Sequence, residues 1–172
     1  MFNKLLFGVY PYIAIAVCFI GSWIRFDREQ YTWKTGSSQM LSNTNMRVAS
    51  NLFHVGVLFI LMGHFVGLLT PQEIYHHFIS TQAKQILAML SGGFFGVLCL
   101  VGLLMLLKRR LDDPRVRASS SDADILLLFM LLGQLGLGLL TILVSTQHLD
   151  GSVMVLLADW AQSIVTFQVD DA

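Results

Sequence analysis

Four apolar stretches dominate this sequence: Leu5–Ile24, Val48–Leu69, Ile86–Leu107 and Ile125–Val144. About 20 helical residues cross the hydrocarbon core of a bilayer, and each stretch has that reach. In lipid the backbone must satisfy its own hydrogen bonds, so each stretch is expected to be a helix. Of the 172 residues, 55% are hydrophobic and 13% charged, where a soluble domain carries about 25% charge. A disordered chain is excluded too, because it would be poor in aliphatic and aromatic side chains. The expected fold class is an all-α integral membrane protein, with four transmembrane helices and short amphipathic segments at the outer face. A single transmembrane domain over 1–172 fits this length.

Ala14-Ile15-Ala16 imitates a signal-peptide cleavage site, but the apolar run continues to Trp23, which marks an anchor. Lys and Arg then orient the spans. Arg25, Arg28, Lys34 and Arg47 lie between the first two stretches. Lys108, Arg109, Arg110, Arg115 and Arg117 lie between the last two, and only Lys4 and Lys84 remain for the other side. The positive-inside rule makes the basic side cytoplasmic and puts the N-terminus outside.

The connections carry their own signals. Thr70-Pro71-Gln72-Glu73 has the form of a capping box with Pro at the first helical position, which predicts a short outer helix. Asp112-Asp113-Pro114 predicts a break in the second basic loop, and Ser121-Asp122 an N-cap for the fourth span. The segment Gly151–Phe167 reads as an interfacial amphipathic helix with Trp160 at headgroup depth. Cys18 and Cys99 lie singly in apolar runs, far from any CxxC or Cys/His spacing, and read as buried inert thiols.

The ionisable residues inside the spans are His54 and His64. At 1.5 Å and 100° per residue they lie about 15 Å apart along one helix and about 80° apart around it. That is too far to share one ion, and it suits two centres, one per leaflet. Two readings stand side by side: interhelical hydrogen bonds, or metal ligation. A pair on one helix, each flanked by Gly and Phe, weighs toward ligation. Gly56, the pair Gly63 and Gly67, and Gly92, Gly93 and Gly96 read first as packing residues, although a flat macrocycle needs the same smooth surface. Gln134 reads as an interhelical hydrogen-bonding residue. His76 and His77 are expected to be solvated, and His148 to serve a turn or cap. Lys84 reads as a snorkelling side chain. Lys108-Arg109-Arg110 is explained by topology, while Arg at a membrane rim also suits carboxylate binding.

The sequence resembles the gamma, or cytochrome b, subunit of the membrane-bound respiratory nitrate reductase. The likeness rests on Tyr10-Pro11-Tyr12-Ile13-Ala14, Ile20-Gly21-Ser22-Trp23, Gln30-Tyr31-Thr32-Trp33 and Ser37-Ser38-Gln39-Met40-Leu41. It continues through Ala49-Ser50-Asn51-Leu52-Phe53-His54, Gly63-His64-Phe65 and Leu69-Thr70-Pro71. Further matches are Gly96-Val97-Leu98-Cys99-Leu100, Leu106-Leu107-Lys108-Arg109-Arg110-Leu111, Pro114-Arg115-Val116-Arg117-Ala118 and Trp160-Ala161-Gln162-Ser163.

The resemblance implies two b haems, with His54 an axial ligand to the one nearer the cytoplasm and His64 to the outer one. It implies quinol as substrate beside the outer haem, near Gly63 and Gly67, with Lys84 hydrogen-bonding the quinol oxygen. Arg110 matches a propionate-binding position. Electrons would pass to an iron–sulfur subunit, and nitrate would be reduced in a molybdenum subunit, both on the cytoplasmic side. Membrane lipid is a further partner and nucleic acid is not; the location implied is the cell inner membrane. The family also has a fifth spanning helix bearing the opposite axial histidines, and this sequence stops at Ala172, before it. An incomplete copy of a longer subunit is the reading favoured over completion by another chain or loss of haem. The rival function is a haem-free membrane anchor or assembly element that docks a cytoplasmic partner.

Overall fold

The computed structural model describes residues 2–31, 45–147 and 149–168. The readings of Lys34 and His148 fall outside them. All regular structure among the described residues is helical, and four helices are long and apolar enough to cross a membrane. These are α1 (Phe2–Arg28), α2 (Met46–Leu69), α4 (Thr81–Asp112) and α6 (Asp122–Ser145). Between and after them come α3 (Gln72–Tyr75), α5 (Pro114–Ala118) and α7 (Ser152–Thr166).

α4 extends well beyond the apolar stretch that announced it. Thr81 to Asp112 is 32 residues, about 48 Å at 1.5 Å per residue, where the hydrocarbon core is about 30 Å. The extension has a simple cause. Lys and Arg are good helix formers, so the helix runs on through Lys108-Arg109-Arg110 and stops only before Asp113-Pro114. There Asp113 accepts hydrogen bonds from the Arg115 and Val116 amides and starts α5. Ser121 and Asp124 form the full capping box of α6.

The expected capping box at Thr70 does not form. The Thr70 hydroxyl donates to the Val66 carbonyl at 2.6 Å, closing the end of α2. Pro71 is then the N-cap of α3, without a side-chain cap, rather than its first helical residue.

The chain forms two compact units. The larger, Gly36–Ala158, contains α2, α4 and α6, with α4 in the middle. Small residues allow close approach. A Cβ on Gly102 would collide with the Phe53 amide and the Ala49 carbonyl, and one on Gly56 would lie 2.7 Å from the Cys99 amide. Further along, Phe59 stacks on Phe95 with centroids 4.2 Å apart. On the other flank of α4, Arg110 pairs with Asp124, Gly96 accommodates Leu139, and Gly92 and Gly93 approach Ile142. The Gln85 amide donates to the Ser145 carbonyl at 3.4 Å, serving an end group that α6 cannot satisfy itself. In both pairings the partner numbers run in opposite directions, so α4 is antiparallel to each neighbour. Leu103 is completely buried and Cys99 nearly so.

The smaller unit is Met1–Thr35 with Asp159–Ala172. Pro11 has no N–H for the Phe7 carbonyl four residues back, and a π-helical segment, Leu5–Val9, precedes it. The Trp160 indole N–H donates to that carbonyl at 2.9 Å, and the Phe7 ring meets the indole edge-on. The Tyr12 hydroxyl donates to the Ile164 carbonyl at 3.0 Å, and its ring stacks on Phe167.

Two expectations require correction. Cys99 is buried as expected, but Cys18 is exposed, because no residue of Tyr10–Arg28 is buried by other described residues. Gln134 is exposed on α6 and has no hydrogen bond to any described residue, because its face of the helix is turned away from α4.

Candidate functional site

α2 runs without interruption through both in-span histidines, which preserves their separation of about 15 Å. Both imidazoles are exposed. His54 Nδ1 lies 2.7 Å from the Ser50 carbonyl oxygen and 3.2 Å from Ser50 Oγ. His64 Nδ1 lies 2.8 Å from the Ile60 carbonyl oxygen. A carbonyl oxygen can only accept, so each Nδ1 carries the proton and donates it. In the neutral ring Nε2 then holds the lone pair, and no described residue bonds either Nε2. This is the state in which imidazole ligates a metal, with the other nitrogen fixed by a backbone acceptor. The sequence alone does not identify those acceptors.

His77 makes the same bond, to the Glu73 carbonyl at 2.7 Å, so the bond alone does not mark a ligand. Depth separates the cases. His77 lies beyond the end of α2 and is exposed, as expected of it and of His76. The lone pairs of His54 and His64 sit on a membrane-spanning helix, where an unmade bond to a polar nitrogen is expensive.

The glycines of α2 divide into two groups. Gly63 and Gly67 follow Gly56 by seven and eleven residues, so each lies within about 20° of Gly56 around the helix. Gly56 touches α4, yet a Cβ on Gly63 or Gly67 would meet nothing within 4 Å. The two helices therefore separate beyond the Phe59–Phe95 stack, and an open, side-chain-free surface lies beside His64. Gly56, Gly92, Gly93 and Gly96 are packing residues, as expected. Gly63 and Gly67 are not used for packing by any described residue.

Lys84 stands at the beginning of α4, toward the same end of the unit. Its Nζ lies 3.6 Å from the centroid of the Tyr75 ring, and Tyr75 is buried. His76 stacks on the same Tyr75 ring at 5.0 Å, and its Nε2 is 3.3 Å from Thr81 Oγ1. At the opposite end of α4, Arg110 holds Asp124 through one arm, at 3.2 Å. A guanidinium carries five N–H donors, so that contact uses a part of its capacity.

Among the described residues no three His, Cys, Asp or Glu side chains come together as a bare metal site. An iron already held by a macrocycle asks a different thing of the protein: an axial imidazole with its lone pair unblocked. His54 and His64 each meet that requirement, and the surface beside His64 has room for a flat group. Tyr75 is a residue of this group that the sequence does not single out. Nothing in the spacing of a short loop segment links it to Lys84; the chain reversal between α2 and α4 brings them together.

Comparison with known proteins adds three relatives and one family. The model of the nitrate reductase gamma subunit family matches residues 3–172. The respiratory nitrate reductase 1 gamma chain of Escherichia coli K12 is 56% identical over 165 residues, covering 96% of this chain and 73% of the relative. The respiratory nitrate reductase 2 gamma chain of the same strain is 51% identical over 166 residues, covering 96% and 74%. The nitrate reductase gamma chain of Bacillus subtilis 168 is 31% identical over 171 residues, covering 99% and 77%.

Proposed function

This chain belongs to the nitrate reductase gamma subunit family, and on that premise we propose that it is the quinol-oxidising cytochrome b subunit of its complex. It is a multi-pass membrane protein and a component of a respiratory nitrate reductase. The observation that carries the finer reading is the shared state of the two in-span imidazoles. Each has its Nδ1–H committed to the carbonyl four residues back and its Nε2 lone pair unengaged by any described residue.

His54 and His64 would each hold one b haem, and Arg110 would neutralise a propionate with the guanidinium arm that Asp124 leaves over. When bound, haem supplies one-electron redox chemistry at a potential that the surrounding residues tune. The chain itself orients the substrate. Gly63 and Gly67 leave the surface on which the quinol ring rests, and the Lys84 ammonium donates a hydrogen bond to a quinol oxygen. The quinol gives up two protons to the outer side, where the N-terminus lies. Its two electrons leave for an iron–sulfur subunit on the cytoplasmic side, and nitrate is reduced in a molybdenum subunit. The location is the cell inner membrane.

The test uses the assembled complex. A pyridine haemochrome assay should give a b-type spectrum assignable to this subunit. His64→Ala should remove the outer haem and abolish quinol-driven nitrate reduction, while artificial donors that bypass the subunit still work. Quinol turnover that survives His64→Ala would refute the assignment of His64. A complex with no b-type haem in this subunit would favour the haem-free anchor.

A further inference from the structure

Lys84 occupies an unfavourable place. Ser80 is the N-cap of α4, accepting a hydrogen bond from the Ala83 amide, so Lys84 is the fourth residue of the helix. The N-terminus of a helix carries a partial positive charge, and an ammonium there is repelled by it. The side chain also has rotamer freedom to lose if it is to be held in one position. Neither effect is offset by a carboxylate among the described residues. What lies against the ammonium is the face of Tyr75, 3.6 Å from Nζ to the ring centroid. The negative face of an aromatic ring attracts a cation at this distance.

The ring is itself held. Tyr75 is buried, with 7% of its surface exposed. His76 stacks on it at 22°, and the imidazole is tied through Nε2 to Thr81, the first residue of α4. Thr81 lies against Gly151, whose φ of +79° and lack of a side chain permit the approach. A connected set of contacts thus fixes the ring, and the ring fixes the ammonium.

We propose that Tyr75 is a positioning residue for quinol binding: its ring face holds the Lys84 ammonium in place, at the end of the unit toward which α2 carries Gly63 and Gly67. This rests on the reading of Lys84 as the hydrogen-bond donor to quinol. The ring is required and the phenol hydroxyl is not.

The experiment uses the full complex with three variants, Tyr75→Leu, Tyr75→Phe and Lys84→Ala. Two quantities are read, the first in the two Tyr75 variants and the second in all three. One is the rate at which an amine-reactive acylating reagent modifies Lys84, followed by peptide mass spectrometry. The other is affinity for the quinol analogue 2-heptyl-4-hydroxyquinoline N-oxide, with KM and kcat for quinol measured beside it. Loss of the ring in Tyr75→Leu should raise Lys84 modification and weaken analogue binding by roughly 3- to 10-fold each. KM should rise with kcat little changed, haem content should stay normal, and Tyr75→Phe should behave as the native protein. Unchanged Lys84 reactivity in Tyr75→Leu overturns the proposal. So does raised reactivity with unchanged analogue binding. If Lys84→Ala itself leaves analogue binding intact, the reading of Lys84 fails, and the proposal built on it fails for that separate reason.

Discussion

Pro11 shows how one residue shapes its surroundings. It cannot serve the Phe7 carbonyl, so α1 opens into a π-helical segment and the carbonyl takes its hydrogen bond from Trp160. Trp160→Phe keeps the ring and removes the donor. It should lower stability by about 1 kcal/mol, the net worth of one hydrogen bond, read as the midpoint of unfolding in mixed detergent. An unchanged midpoint would mean that the carbonyl finds another donor. Residues of this kind differ in how openly the sequence displays them. His54 and His64 stand out because an ionisable side chain in a long apolar run is an anomaly at once. Their acceptors, Ser50 and Ile60, follow from helix geometry only once the ring orientation is known. The partnerships of Trp160 with Phe7 and of Tyr75 with Lys84 depend on chain reversals, which no local pattern encodes.

At the level of elements, the four spanning helices were legible because hydrophobicity accumulates over some 20 residues and tolerates local irregularity. Helix ends were less so: α4 passed through its basic run to Asp112, and Thr70 closed α2 where a cap for α3 was expected. The glycine pattern was ambiguous for a physical reason, since close packing and a flat ligand both require a missing side chain. Substitution separates the two. Gly56→Ala would drive a methyl group against the Cys99 backbone and should cost about 1–3 kcal/mol from overpacking. Gly63→Ala meets nothing within 4 Å, and the gain in helix propensity of up to about 1 kcal/mol should leave it as stable as the native chain or slightly more so. Unfolding midpoints give the first comparison. Quinol-analogue affinity gives the second, and it should fall in Gly63→Ala despite the intact fold. A loss of stability in Gly63→Ala would mean that the glycine is there for packing after all.

For the whole molecule, charge decides which way the spans point. Lys4 and Lys108 are both exposed, and three spanning helices, α1, α2 and α4, lie between them in the chain. An odd number of crossings puts the two lysines on opposite sides of the membrane whichever way the protein inserts. The sign is set separately. A basic residue near the anionic cytoplasmic leaflet contributes about 1 kcal/mol, and nine of the 11 lie between the first and second or the third and fourth apolar stretches, on the Lys108 side. A membrane-impermeant amine reagent should therefore label Lys4 in right-side-out vesicles and Lys108 only in inverted ones, as read by peptide mass spectrometry. Labelling of both lysines from one side would break the count of crossings. Labelling in the reverse order would keep the count and overturn the orientation. The second outcome would also move the Lys84 end of α4 to the cytoplasmic face, and proton release from quinol could no longer be on the outer side.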